Sequence, residues 1–253
     1  MTSRNEIDGA LEEGDIFFLY SPDVNEDEPD RLGDVQRFYM ALRPRGGKHV
    51  RLMVVGRKRL PDVTEHEREW GFVDAVERSE SNLEKTLREK HYGTQTRGEQ
   101  EQPAARPAGE GVYAVTLEDG QLHLSYALEL PEEPGEVQKA FNIAQEASFA
   151  LSVKNPEKGS PKSAGLDEGG KADYPESLQD EFRDRRFARE DVRLLDYEGA
   201  EFVLVGARTN PQRAYDIELE TEDETGSTPD VMSKLRMAKS RHPIEPLFAG
   251  RWS

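Results

Sequence analysis

The chain has 253 residues, a formal net charge of -17 and 35% hydrophobic residues, enough for a real core, so disorder throughout is excluded. It contains no cysteine, which removes disulfides, thiol nucleophiles and thiolate metal sites. Its longest apolar runs, such as LMVV at 52–55 and FVLV at 202–205, are far too short to cross a bilayer as helices, and the charge repels nucleic acid and anionic membranes at long range. The opening MTSRNEIDGALEEGD has no apolar secretory run, which points to the cytoplasm. Arg outnumbers Lys 23 to 11, so the acidity can equally describe a salt-adapted or GC-rich host instead of a partner.

In chain order, IFFLY at 16–20 suits a buried strand closed by Ser21-Pro22. Leu32, Val35, Tyr39 and Leu42 fall at helical spacing and predict a helix that stops at Arg43-Pro44. HVRLMVVG at 49–56 predicts a strand, and WGFVDAV at 70–76 a second strand paired with an earlier one. Ser81 and Glu84 form a capping box for a helix whose stripe is Leu83 and Leu87, with His91 in its last turn and Gly93 as its closing residue. The polar stretch 94–111 predicts a loop, and GVYAVTLEDGQLHLSYALEL a hairpin turning at Asp119-Gly120.

Pro134 to Ala147 predicts a helix and ASFALSV a returning strand. Residues 155–170 read as loop; a helix from Pro175 with Leu178 and Phe182 inward then precedes the strand EFVLVG at 201–206. DVQRFY at Asp34, EVQKAF at Glu136 and SLQDEF at Ser177 share a pattern that suggests a duplicated helix and strand unit. Alternation of helix and strand predicts an α+β fold: a mixed, mostly antiparallel sheet with helices packed on it. The expected organisation is a main domain over 11–156, a loop over 157–173, a smaller helix and strand unit over 174–215 packed on the main domain, and a tail over 216–253. That tail is acidic and partly disordered, with a short C-terminal helix at Val231, Met232, Leu235 and Ala238. The apolar HPIEPLFAGRW at its end docks on its own domain, on another copy or on a partner.

The sharpest anomaly is RPRGGKHVRLMVVGRKRLP. It carries Arg43, Arg45, Lys48, Arg51, Arg57, Lys58 and Arg59 with no acid among them. Arg donates two parallel hydrogen bonds to phosphate or carboxylate, so the strip is a candidate anion site for a phosphorylated ligand, a protein partner or nucleic acid. Pairing with the protein's own surplus of Asp and Glu is the competing account, and no aromatics are interleaved to stack on bases. The smaller cluster Arg183, Arg185, Arg186 and Arg189 is diluted by acids and suits a solvated helix end.

Catalysis finds no carrier in the residue patterns. The five His, at 49, 66, 91, 123 and 242, never stand at a metal-ligand spacing, so no metal and no cofactor are expected. No Ser lies in a GxSxG elbow, and the carboxylates are too many to single out an acid and base pair. GLDEGGK at 165–171 has the spacing of a phosphate loop, but Ala172 replaces the hydroxyl residue and flexible KGSPKSAG precedes it in place of a strand.

RPAGEG at 106–111 resembles the (Q/R)xxGx(G/A) loop of the GNAT acetyltransferases. That resemblance implies coenzyme A binding by Arg106, Gly109 and Gly111, in an enzyme acting near Arg97, Arg106 and Lys154; VYAVTL, which reads as strand, follows where that family has a helix. IFFLYSP, DVQRFY, VVGRKRLP and the stretch from SVKNPEKGSP to DYPESLQ resemble a group of bacterial proteins with no assigned activity. That second resemblance implies a housekeeping or accessory protein and transfers no site. The resulting expectation is a cytoplasmic binding or interaction protein with a basic strip, the acetyltransferase-like enzyme being the alternative.

Overall fold

The strand-forming runs close on themselves. In the computed structural model, which describes residues 7, 9–47, 49–78, 80–94, 98–161, 165–215, 217–221, 229–235, 237 and 240–252, eight strands form a closed barrel in which every ladder is antiparallel. They are β1 (Ala10–Pro22), β2 (Val35–Pro44), β3 (Val50–Val55) and β4 (Arg68–Glu77), then β7 (Arg106–Glu118), β8 (Gln121–Leu130), β9 (Glu146–Lys154) and β11 (Glu201–Arg208). The order β9-β11-β4-β3-β2-β1-β7-β8 is closed by β8 pairing with β9. Strands β5 (Lys90–Thr94) and β6 (Gly98–Gln102) form a separate ribbon, and the two-residue β10 (Phe187–Ala188) adds to β9.

This corrects the expected α+β fold. An eight-stranded barrel is just wide enough for side chains to fill its interior, so the sheet buries its inner face against itself without a helical layer. The filling includes Phe18, Phe38, Met40, Met53, Tyr126 and Phe149. Phe18 and Phe38 stack at 6.2 Å, and Phe18 meets Tyr126 edge-on at 5.0 Å. The helices are short: α1 (Glu80–Leu87), α2 (Glu136–Ala140), α3 (Glu176–Gln179), α4 (Pro211–Tyr215), α5 (Asp230–Lys234) and α6 (Glu245–Ala249). Among the described residues, no helix is long and apolar enough to cross a membrane.

The expected helix over 32–42 is strand β2. Its Phe38, Met40 and Leu42 fill the lumen, while Tyr39 and Ala41 face a second apolar layer outside. A strand buried on both faces is apolar at nearly every position, so helical spacing can be picked out of it by chance. This also dissolves the suggested repeat, since DVQRFY enters a strand while EVQKAF is the single short helix α2. That helix ends well before Ala147 and delivers Phe141, stacked on Phe38 at 4.8 Å, into one end of the barrel. Likewise the loop expected over 94–111 contains β6 and the start of β7, and His91 and Gly93 lie in β5 instead of closing a helix.

Other expectations hold. The β7-β8 hairpin turns at Asp119 and Gly120, both left-handed at φ 50° and 72°, the pairing that primed turns require. The strand expected over 201–206 is present as β11, a stave of the barrel between β4 and β9. The chain end docks on its own barrel: Val231, Leu235, Met237 and Leu247 join Leu83, Leu87 and the outward Phe17, Leu19 and Leu52 in the second apolar layer. Fully buried Glu110 of β7 anchors α5 by accepting the backbone N–H groups of Asp230 (3.1 Å) and Val231 (2.7 Å). Ala238, the acidic stretch 222–228 and the side chain of Ser81 lie outside the described residues.

Candidate functional site

The basic strip spans the end of β2, all of β3 and the turn after it, and the barrel sets it against acids of β1, of β4 and the residue before it, and of the turn at 192–196. Asp15 is the cross-strand partner of Arg43, with Oδ2 3.6 Å from the Arg43 guanidinium. Arg45 reaches Glu13 at 2.5 Å. Arg57 meets Glu67 at 3.1 Å and Glu69 at 3.3 Å, and Arg59 meets Glu67 at 2.8 Å. Lys58 donates to the Val35 carbonyl, and Lys48 lies outside the described residues. The described cations of the strip are therefore engaged by the chain's own acceptors, as expected where unlike charges face each other across strands.

Arg51 is the deepest of them. It points into the barrel end, 1% exposed, and its Nη1 and Nη2 donate to the two carboxylate oxygens of Glu12 at 2.5 and 2.7 Å. Its Nε donates to Asp196 Oδ1 at 2.7 Å, and the Tyr113 phenol donates to Glu12 at 2.8 Å. Burial alone lowers the basicity of Arg51, but the hydrogen bonds and charge of Glu12, with the charge of Asp196, outweigh it and hold the guanidinium above its ordinary value. Burial likewise pushes the Tyr113 phenol well up. This is a satisfied ionic plug, not a vacant site.

RPAGEG is not a loop at a helix N-terminus. It is the first half of β7, paired with β1. A Cβ on Gly111 would stand 2.1 Å from the Ala127 carbonyl oxygen, so glycine serves close strand approach there, and Gly109 packs under Phe18 and Leu128. Arg106 is 4% exposed and donates from Nη2 to the Asp27 carbonyl at 2.6 Å, leaving Nε and Nη1 unpartnered. Burial lowers its pKa. Lys154 is spent on Glu201 at 3.3 Å and on the carbonyls of Asn155 and Lys158, at 2.9 and 2.5 Å. Arg97 lies outside the described residues.

A different place gathers cations around open space. Between β2, the α1-β5 junction and the segment after β6 lies a cavity of about 200 Å³ whose walls include Arg37, Arg88 and Lys90. Ser21, Tyr39 and Gln102 supply polar groups to it, and Pro103 an apolar wall. Among the described residues the lining contains no carboxylate. Arg37 is oriented by Asp74 at 3.3 Å; among the described residues neither Arg88 nor Lys90 has an acid within ion-pairing distance. Burial raises the Tyr39 pKa, with hydrogen bonds to Ser21 and Arg37 opposing it, so the phenol stays a donor at neutral pH. Leu83 and Leu87, seated in the outer apolar layer, fix the helix from which Arg88 projects.

Sequence reasoning missed this pocket. Arg37 was hidden in the misassigned helix, and Arg88 and Lys90 look like any cations following a helix. The histidines and the phosphate-loop near-miss resolve structurally. His123 is half-buried against Tyr215, its Nδ1 2.8 Å from the phenol oxygen. His49 Nε2 lies 2.9 Å from Asp196, though poorly aligned for a hydrogen bond. Lys171 pairs with Glu168 at 2.6 Å. Among the described residues no group of acids and histidines has the arrangement of a metal site. No family model, curated protein or solved structure matches the chain.

Proposed function

We propose that this protein binds a small anionic ligand, and that the ligand sits in the pocket of Arg37, Arg88 and Lys90 instead of on the strip from Arg43 to Arg59. One observation carries the reading: three cations border a cavity of about 200 Å³ whose described lining has no acid, on a chain of net charge -17. So negative a molecule repels anions at a distance, and a local cationic concavity is what overcomes that field. A cavity of this size takes one small group and not a nucleic-acid backbone. A cysteine-free chain suits a reducing compartment, and we assign the protein to the cytoplasm.

Thermal unfolding with millimolar inorganic phosphate at low salt tests the reading. Ligand linkage raises the midpoint of the wild type, and added chloride diminishes the shift. Arg88→Glu with Lys90→Glu abolishes it, whereas Arg57→Glu with Arg59→Glu leaves it in place. A wild type indifferent to phosphate and to sulfate refutes anion binding.

A further inference from the structure

Resting on that anion-binding reading, we infer that the pocket's ligand is a compact phosphomonoester, such as a short polyol phosphate, and neither a carboxylate nor a pyrophosphate-linked cofactor. Charge comes first. Asp74 already neutralises Arg37, which leaves Arg88 and Lys90 as about two uncompensated positive charges among the described residues. A phosphomonoester brings roughly -1.5 to -2 at neutral pH, whereas a carboxylate brings one charge and strands the second cation.

Donor geometry agrees. Three phosphate oxygens call for several donors from different directions. Arg88 offers a planar fork, Lys90 a rotatable point charge, and Tyr39 a phenol. These groups come from β2 and from the α1-β5 junction, two separate walls of the cavity, which suits a tetrahedral group better than one edge of a planar one. Gln102 spends its amide N–H on the Pro22 carbonyl, leaving its amide oxygen as an acceptor that suits a ligand hydroxyl. Size sets the upper limit. At about 200 Å³ the cavity is smaller than the roughly 300 to 1,000 Å³ of sites for drug-sized ligands, so it encloses a phosphate and a short polyol but not the whole of coenzyme A.

Isothermal titration of the full chain with glycerol 3-phosphate, sulfate, acetate and coenzyme A separates the outcomes. The expected result is binding of glycerol 3-phosphate at least tenfold tighter than of sulfate or acetate, with no measurable coenzyme A binding. Affinity falls as pH drops below about 6, where the second phosphate proton returns. Lys90→Gln weakens binding about tenfold, and Arg88→Glu abolishes it with an unchanged unfolding midpoint, since both side chains are solvent-accessible. Equal affinity for sulfate or acetate, or tighter binding of coenzyme A, overturns the phosphomonoester assignment while the anion reading stands. No anion binding, or binding indifferent to Arg88→Glu, overturns both.

Discussion

The two ends of the barrel each hold a buried arginine, and they treat it differently. At one end Arg51 makes three charge-assisted hydrogen bonds to Glu12 and Asp196. At the other, beside Tyr20, Arg106 makes one bond to a carbonyl and leaves two N–H groups unpartnered. The first end is closed by complementary charge, the second by aromatic packing: Trp252 meets Tyr20 and Phe141, each at 5.5 Å, and Phe141 meets Tyr20 at 5.2 Å. A buried charge is tolerated in both, but only where its donors are matched does its removal leave costly orphans behind.

The sharpest way to break this comparison is Arg51→Met. It strands Glu12 and Asp196 and is expected to cost about 3 to 5 kcal/mol in guanidinium unfolding, with part of the loss restored by adding Glu12→Gln. A loss under about 1 kcal/mol would show that the plug is not what closes that end. Next, Trp252→Ala strips the aromatic lid from the other end; the ring is only partly buried, so about 2 kcal/mol is expected, read from the same unfolding curve. Arg106→Leu is expected to cost less than about 1 kcal/mol or to stabilise, because it removes donors that were never satisfied. A cost matching that of Arg51→Met would erase the distinction between the ends.

The smallest effect is one of pH. His242 is buried, its Nδ1 2.6 Å from the Ala105 carbonyl and its Nε2 unpartnered, and burial lowers its pKa. The unfolded chain then binds a proton that the folded one refuses, so stability is lost as pH falls from about 6.5 toward the lower folded value. His242→Gln should flatten part of that slope in unfolding midpoints taken between pH 7 and 5. His123, also lowered by burial, adds to the slope with the same sign.

Much of the strand inventory was legible because it depends on neighbours in the chain. Branched and aromatic runs mark β1, β3, β4 and β11, and Asp119-Gly120 marks the hairpin. Strand β2 was not legible, since burial on both faces removed the alternation that identifies a strand. The basic strip was visible as a run of letters, yet its partners Glu12, Glu13 and Asp15 lie 28 to 39 residues upstream and meet it only through the β1-β2-β3 register. The pocket was invisible for the same reason: Arg37 and Arg88 stand fifty-one positions apart and share a wall only because α1 lies on the outer face of β2.

By itself, then, the amino-acid order determined a cysteine-free, acidic, core-forming chain, most of its strands and its tightest turn, all of which follow from local backbone preference and composition. Tertiary structure alone decided that the sheet closes, that the five arginines of the strip become a seam of ion pairs instead of a binding strip, and that three scattered cations border a cavity. Closure and pairing are set by register between distant strands, and register is a property of the assembled barrel that no single stretch of sequence carries.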